Sequence, residues 1–328
     1  MSVQTHEAPT SARSSPTVTP PGSAPAPGND GARRRGALPY VLLLPALVAT
    51  AVFLGWPLVM NGMLSFQNLN MTQLIQHVTE WTGTDNYSRT LGSEDFWRVT
   101  LRSILFTVVN VVVIMVGGTL TGLLLARLGP RMRLLLSAGL VLAWAMPVIA
   151  ATTVYQWLFA QRFGVVNWLL DAAGLHSMAD YNWTGGQLST FFVISLLIVW
   201  TSVPFVAVNL YAATTTIPRE LYEAAALDGA GAWQGFRTVT LPFLRPFLLV
   251  TTFLEVIWIF KAFPHIFAVN EGGPDRLTET LPVYAFVEGV GNQHYGTGAA
   301  ISVLTILILL ALMAYYLRIA LKQEEDEQ

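Results

Sequence analysis

The sequence predicts an all-α membrane protein with six transmembrane helices. Of its 328 residues, 53% are hydrophobic and only 12% are charged, about half the charged fraction of a typical soluble domain. The apolar residues are gathered in long blocks, each close to the ~20 residues that a helix needs to cross a bilayer. Helices are expected in these blocks because isolated strands cannot satisfy their backbone hydrogen bonds in hydrocarbon. We therefore expect one helical bundle in lipid.

Six apolar blocks define the predicted spans. Pro147 and Pro204 fall within the third and fourth blocks and predict kinks there. In the second block, Gly117, Gly118 and Gly122 have the spacing of small residues that allows two helices to pack closely. The predicted spans are residues 38–63, 101–125, 134–159, 188–213, 243–269 and 299–317.

The two ends of the chain have compositions unlike the spans. Residues 1–36 are rich in Pro, Ser, Thr, Ala and Gly, which predicts a disordered tail because large apolar residues are almost absent. A signal peptide is not expected, since the first apolar run begins too late and is too long. Residues 37–320 form the predicted membrane domain, and residues 321–328 an acidic C-terminal tail for which solvated disorder is expected.

Basic residues are distributed unevenly among the predicted loops. With the N-terminus inside, 12 of the 18 Lys and Arg residues lie on the inner side and four lie in outer loops, while Arg102 and Lys261 fall within spans. Cytoplasmic loops of membrane proteins carry an excess of Lys and Arg. Both termini are therefore predicted to be cytoplasmic, together with the loop at residues 217–242 between the fourth and fifth spans.

This cytoplasmic loop is the most distinctive polar segment of the chain. From Glu223 to Pro242 it reads EAAALDGAGAWQGFRTVTLP. Pro218 predicts the start of a helix, because its missing N–H is not needed there. Gly229 predicts a left-handed end to that helix.

A second short helix is expected at residues 232–239. Helical spacing would place Trp233, Phe236 and Val239 on one side of it. Exposed aromatic side chains on a short cytoplasmic helix favour a partner surface. The alternative interpretation is an amphipathic helix that only tethers two spans.

The loop also resembles the permease subunits of bacterial ABC importers. The matching residues are Glu223, Ala224, Ala225, Gly229, Val239, Leu241 and Pro242, with Val239 standing where the family usually has Ile. The resemblance implies a coupling helix that inserts into a cleft on an ATP-binding subunit. The predicted coupling residues are Glu223, Ala224, Ala225, Asp228, Gly229, Ala230, Trp233, Phe236, Leu241 and Pro242.

A second segment, residues 269–305, resembles the carbohydrate branch of these permeases, which is maltose-permease-like. The matching residues are Gly272, Gly273, Pro274, Thr278, Thr280, Leu281, Tyr295, Gly296, Gly298, Ala299 and Ala300. Asn270 and Glu271 depart from the family, which commonly has a Thr before the glycines. The resemblance implies a type I ABC importer permease fold and uptake of a di- or oligosaccharide, and it is closest to trehalose-uptake permeases. Gly272, Gly273 and Pro274 are expected to contact an external binding protein.

The resemblance also implies the partners and the location of the chain. It implies a second homologous permease subunit, two ATP-binding subunits and an extracytoplasmic sugar-binding lipoprotein, all at the plasma membrane. ATP and Mg are expected on the partner subunits, with no cofactor, metal or nucleic acid on this chain. A phosphate-binding G-x-x-x-x-G-K-[ST] loop is excluded, because Lys261 and Lys322 are the only lysines and neither follows a Gly.

Polar and aromatic residues within the spans are candidates for the substrate path. Glu255 and Lys261 are charges inside the fifth span, where charged residues are functional candidates by default. Being six residues apart, they lie on different helix faces. Alternatively, Lys261 extends outward to water and Glu255 forms a hydrogen bond inside the bundle. The candidate path residues are Asn110, Trp144, Tyr155, Asn209, Tyr211, Glu255, Trp258, Phe260 and Lys261.

Three other functions are weighed against sugar transport. An intramembrane glycosyl-transfer enzyme would need acidic or metal-binding residues clustered at one membrane face, and the sequence shows no such cluster. A permease for another solute, such as glycerol-phosphate, would favour several cations near the path, where only Lys261 and Arg102 are expected. A purely structural scaffold is disfavoured by the charge of Glu255 in mid-membrane.

Overall fold

The computed structural model describes residues 38–325, which are helical apart from connecting loops and one isolated β-bridge between Gln67 and Trp81. The predicted tail at residues 1–36 lies outside this range. The helices are α1 (Leu38–Thr50), α2 (Trp56–Leu64), α3 (Met71–Gln76), α4 (Asp85–Gly92), α5 (Glu94–Arg127), α6 (Pro130–Trp144), α7 (Val148–Leu158), α8 (Val165–Ala172), α9 (Gln187–Thr214), α10 (Arg219–Leu227), α11 (Ala232–Gly235), α12 (Leu241–Phe260), α13 (Phe263–Asn270), α14 (Leu281–Phe286) and α15 (Tyr295–Glu325).

Five helical runs within the described residues are long and apolar enough to cross a membrane, or six if one bent pair counts as a span. The all-α membrane fold predicted from the sequence is therefore confirmed. The first run contains the boundary, after Trp56, between two compact units of the chain. The five runs are Tyr40–Leu64, Glu94–Arg127, Gln187–Thr214, Ala232–Asn270 and Tyr295–Ala320.

The second unit is organised around the contact between α5 and α9. Gly118 of α5 lies so close to α9 that a Cβ atom there would be 2.4 Å from Cβ of Val206, and a Cβ on Gly122 would be 2.8 Å from the carbonyl oxygen of Ala207. Fully buried side chains, including Ile114 and Leu197, fill the core beside this contact. The glycines of the second span thus act in helix packing, as their spacing predicts.

The third predicted span is not one straight helix. α6 and α7 meet at an angle of 97°. The break contains Pro147, whose backbone is extended with φ −58° and ψ 132°. Proline removes a backbone donor and disfavours helix in the residue before it. The predicted break at Pro147 is therefore confirmed, and residues 134–159 form at most one sharply bent span. Pro204 lies inside α9, which continues through it.

The fifth span differs from the prediction at both ends. It begins earlier, because α11 continues through a π-helical turn at Phe236–Thr240 directly into α12. It is then interrupted, because α12 ends at Phe260 and α13 begins at Phe263. Lys261 lies in this interruption and is exposed, so it falls within the fifth span, as predicted, but not in a regular helix.

The sixth span also extends beyond its predicted end. α15 continues to Glu325, so the first part of the predicted acidic tail is helical rather than disordered. Residues 326–328 lie outside the described part of the chain.

Candidate coupling loop and transport cavity

The coupling loop, residues 217–242, begins with a short helix that has a defined end. Pro218 is extended and directly precedes α10. At the other end, Gly229 has φ +80°, and the amide of Ala230 donates to the carbonyl of Ala225 at 2.9 Å. The amide of Gly229 donates to the carbonyl of Ala226 at 3.0 Å. This pair of bonds is a Schellman motif, so the predicted left-handed end of the helix is confirmed.

The outer surface of the coupling loop is open. Glu223, Ala224, Asp228 and Gly229 are exposed, while Ala225 and Ala230 are half-buried. The most exposed large apolar side chains are Leu227, at 89%, and Trp233, at 73%. Apolar groups presented in this way are typical of a surface that a partner covers.

The second half of the loop differs from the predicted amphipathic helix. Trp233 is exposed and stacks on half-buried Phe236, with ring centroids 5.5 Å apart, but Val239 is buried. The three side chains therefore do not share one face, because the π-helical turn after Gly235 alters the helical register. The hydroxyl groups of Tyr222 and Thr240 lie 3.0 Å apart and connect the two halves of the loop.

Leu241 and Pro242 complete the predicted coupling set. Both are exposed, and they form the first two positions of α12. The end of the loop is therefore also the beginning of a long membrane helix.

A cavity of about 280 Å³, which we call the transport cavity as the candidate substrate site, lies where two broken helices meet. One side is formed by the break between α6 and α7, and the other by the break between α12 and α13. Discontinuous helices at membrane depth are typical of substrate sites in transporters. The side chains with stacking or hydrogen-bonding capacity in its lining are Trp144, Thr201, Ser202, Trp258, Lys261 and His265.

Three of the nine predicted path residues line this cavity, namely Trp144, Trp258 and Lys261. Asn209 lines a neighbouring cavity of about 150 Å³ to which Trp144 also contributes. Tyr211 lies elsewhere, beside the coupling loop. The other four are buried in the bundle and do not line the transport cavity: Asn110, Tyr155, Glu255 and Phe260.

Glu255 is fully enclosed by the bundle. Its exposed fraction is 0%, and neither carboxylate oxygen has a hydrogen-bond partner among the described residues. Glu255 therefore lies away from this cavity, and the alternative of a hydrogen bond within the bundle is not seen among the described residues. Its role in the substrate path stays a prediction. Hydropathy could not distinguish these cases, because it reports depth in the membrane and not which face is covered.

Thr201, Ser202 and His265 line the cavity but were not predicted from the sequence. His265 follows Pro264, which opens α13 just after the interruption. Its Nδ1 atom is buried and has no partner among the described residues. Paired prolines, Pro147 and Pro264, mark the two breaks, and this signal could have drawn attention to the residues around them.

The loop at residues 270–280, which we call the outer loop after its predicted side of the membrane, has a backbone that Gly272 makes possible. Gly272 has φ +88°, and a Cβ there would be 2.7 Å from Cγ of Glu279. It is buried, while Gly273 and Pro274 are half-buried. Gly272 therefore shapes the loop from inside and does not offer a side-chain surface to a binding protein.

Charged groups hold the outer loop together. Arg276 donates through Nε to Glu279 and through Nη2 to Glu288, each at 2.8 Å. Burial raises the pKa of Glu279, although the hydrogen bond from Arg276 acts in the opposite direction. Arg102 of α5 donates to the carbonyl oxygens of Arg276 at 2.8 Å and Glu279 at 3.1 Å. The charge of Arg102 is therefore engaged with the outer loop rather than with the transport cavity.

Comparison with known proteins identifies the family. Residues 118–323 match the family described as "Binding-protein-dependent transport system inner membrane component". The diacetylchitobiose uptake system permease protein DasB of Streptomyces coelicolor is 76% identical over 90% of both chains. The trehalose/maltose transport system permease protein MalF of Thermococcus litoralis is 32% identical, covering 87% of this chain and 94% of its own.

A solved structure supports the fold. The crystal structure of a bacterial ABC transporter that imports the acidic polysaccharide alginate contains a chain with a TM-score of 0.76. It is 19% identical, and the alignment covers 89% of this chain and 98% of that one. The chain thus belongs to the binding-protein-dependent transport family, as a multi-pass plasma-membrane permease subunit of a sugar ABC importer and not an enzyme.

Proposed function

We propose that this chain is one permease half of an ATP-driven importer for diacetylchitobiose, a disaccharide with two acetamido groups. The observation that carries the proposal is the cavity between the two helix breaks, in a chain 76% identical to a diacetylchitobiose permease. A protein of this kind moves its substrate across the membrane and makes no covalent change to it.

The cavity has the chemistry that sugar binding requires. Trp144 and Trp258 are 54% and 36% exposed, and each also packs against Phe205, with ring centroids 6.3 and 4.8 Å apart. The exposed part of each ring could stack on a pyranose ring. Ser202 can exchange hydrogen bonds with hydroxyl or acetamido groups, and Thr201, whose hydroxyl already donates to the carbonyls of Leu197 and Ile198, can accept them. His265 also lines the cavity. The volume of about 280 Å³ lies just below the usual range for small-molecule sites, which begins at about 300 Å³. A second permease would complete the wall.

The coupling loop is the proposed contact with an ATP-binding subunit. The Schellman end of α10 presents Leu227 and Trp233 at the tip of the loop, and a cleft on the ATPase would cover both. Glu223 and Asp228 supply the polar rim of this contact, and Ala224 between them allows close approach because its side chain is small. ATP and Mg would be bound by the two ATPase partners, and this chain carries no cofactor of its own.

The outer loop is the proposed contact with an extracytoplasmic sugar-binding protein. Gly273 and Pro274 are partly accessible there, and Asp275 and Leu277 beside them are exposed. The ion pairs of Arg276 with Glu279 and Glu288 fix the loop before any partner arrives. A preformed loop lowers the entropy lost on binding.

Diacetylchitobiose is preferred to trehalose for one reason. The relative named for diacetylchitobiose is far more similar to this chain than the relative named for trehalose and maltose, at 76% against 32% identity. A glycerol-phosphate permease is a weaker proposal, because Lys261 is the only Lys or Arg in the described lining of the cavity.

The test is an uptake assay with both sugars. Cells that lack the chain are complemented with the wild type, Trp258→Ala or Trp157→Ala, and uptake of labelled diacetylchitobiose and trehalose is measured. Trp157 is a matched control, since it is 52% exposed on α7 but does not line the cavity. We expect diacetylchitobiose uptake by the wild type, a loss of about tenfold for Trp258→Ala, and no loss for Trp157→Ala.

Two results would contradict the proposal. Preferential uptake of trehalose by the wild type would show that trehalose, and not diacetylchitobiose, is the substrate. Equal uptake by Trp258→Ala and the wild type would show that the sugar does not pass through this cavity. The amount of each variant in the membrane is measured in parallel, so that poor insertion is not mistaken for loss of transport.

A further inference from the structure

A second cavity, of about 650 Å³, lies beside the coupling loop, and sugar transport does not account for it. It is bounded by the ends of α5, α6 and α9 and by the two short helices of the loop. Three arginines line it, Arg127, Arg133 and Arg219, and we call it the basic cavity. None of the described residues that line it is an Asp or Glu.

One of the arginines is held in place by the protein itself. Arg133 donates through Nε to the carbonyl of Leu125 at 3.0 Å and through Nη2 to the carbonyl of Leu128 at 2.7 Å. Its guanidinium carbon lies 5.4 Å from the ring centroid of Tyr211. These neutral partners fix the direction of the side chain but leave its positive charge uncompensated.

The other two arginines carry charge without any local partner. Arg127 and Arg219 are exposed, and neither has a hydrogen bond or ion pair to another residue in the described part of the chain. Five hydroxyl groups complete the lining, those of Tyr211, Thr214, Thr215, Tyr222 and Thr240. Thr214 and Thr215 donate to backbone carbonyls and Tyr222 and Thr240 bond each other, so the Tyr211 hydroxyl is the additional donor available to an oxyanion. The basic cavity therefore has the charge and the donors of a site for a phosphate group.

The position of the basic cavity indicates where such a phosphate would come from. Arg127 is the last residue of α5, and Arg133 lies in the first turn of α6, so both stand at the ends of membrane-crossing helices. Their neighbours in sequence are apolar and exposed, with Leu124 at 49%, Leu134 at 70% and Leu135 at 66%. Acyl chains would cover such leucines while a headgroup reached the arginines. Basic pockets between membrane helices on the cytoplasmic side are typical sites for anionic lipid headgroups.

We propose that the basic cavity binds the phosphate headgroup of an anionic phospholipid from the leaflet on the coupling-loop side. This inference does not depend on the identity of the sugar or on the docking of an ATPase. Two walls of the basic cavity are the helices of the coupling loop, so a bound headgroup would contact the loop directly.

Native mass spectrometry of the purified full chain tests the proposal. The protein is exposed to equal amounts of phosphatidylglycerol and phosphatidylcholine, and the retained lipids are counted. We expect phosphatidylglycerol to be retained preferentially, and Arg127→Gln and Arg219→Gln each to lower this preference about fivefold. Arg131→Gln is the matched control, because Arg131 is exposed on α6 but does not line the basic cavity. It should leave the preference unchanged.

Arg127 and Arg219 are chosen because Arg133 also supports the link between α5 and α6, and its loss could disturb folding. An unchanged preference in both variants, or an equal loss in Arg131→Gln, would overturn the proposal. A competition with inorganic phosphate identifies the source of the anion. We expect phosphate at a concentration equal to that of the lipid to leave phosphatidylglycerol bound. Displacement at that concentration would assign the basic cavity to soluble phosphate and overturn the lipid proposal.

Discussion

Gly229 sets the shape of the coupling loop at the scale of a single residue. Its φ of +80° lies in the left-handed region, which costs residues with a Cβ about 1–2 kcal/mol. The space around a Cβ at this position is open, with no atom within 4 Å. The requirement for glycine here is therefore a requirement of the backbone and not of packing.

We predict that Gly229→Val uncouples transport without removing the protein from the membrane. A β-branched side chain is poorly tolerated at positive φ, so the end of α10 would change and Leu227 and Trp233 would no longer be presented together. Sugar uptake is expected to fall about tenfold, with the membrane level of the chain unchanged.

Gly129→Val is the control for this variant. Gly129 also has no atom within 4 Å of an added Cβ, but its φ of −64° and ψ of 161° suit any residue. The Gly129→Val variant should therefore take up sugar at the wild-type rate. Full uptake by Gly229→Val would show that the shape of this turn does not matter for coupling.

The two charged residues of the fifth span show what sequence reasoning could and could not reach. Both Glu255 and Lys261 were identified as unusual, and the structure gives them different environments. Glu255 is fully buried, whereas Lys261 is exposed in the transport cavity. Helical spacing predicts that they point in different directions, but only the packing of α5 and α9 against α12 decides which direction is enclosed.

At the scale of helices, the contact of α5 with α9 depends on the absence of side chains. We predict that Gly118→Ala destabilises the bundle by about 1–3 kcal/mol, because the new Cβ would be 2.4 Å from Cβ of Val206. Gly117→Ala is the control, since its Cβ would meet Cγ2 of Val203 at an ordinary 3.4 Å. Thermal unfolding of both variants in the same detergent measures the difference. Equal melting temperatures would show that α9 can move to accommodate the methyl group.

The spans illustrate the limits of prediction for whole elements. Hydropathy placed every apolar block close to its observed position, since the number of residues needed to cross a bilayer is fixed. Pro147 predicts a kink in the third block, but hydropathy could not predict its angle of 97°, because an apolar run has the same hydropathy whether its backbone continues or turns back. Pro204 shows that proline alone is not sufficient, for α9 is continuous there. The turn in the coupling loop was easier to predict, because the left-handed backbone at Gly229 is a local property of the sequence and does not depend on tertiary contacts.

At the scale of the whole molecule, the absence of cysteine allows a direct test of orientation. We predict that the coupling loop faces the cytoplasm and the segment between the first two spans faces outward, as the distribution of Arg and Lys indicates. Single cysteines are introduced at Gln234 and at Ser88, both exposed. A membrane-impermeant maleimide applied to intact cells should label Ser88→Cys and should label Gln234→Cys only after lysis. Labelling in the reverse pattern would invert the topology.

The continuity of α11, the π-helical turn and α12 has a mechanical consequence. From Ala232 to Phe260 the helical backbone is unbroken, which corresponds to a rod of about 43 Å at 1.5 Å per residue. One end of this rod carries the stacked rings of Trp233 and Phe236, and the other end is next to Lys261. The π-helical turn at Phe236–Thr240 and Pro246 lie in the half of the rod next to the aromatic end, and they are the positions at which the rod could bend. Where they stay straight, a tilt of about 10° at the aromatic end moves the far end by ~7 Å, more than one helical turn.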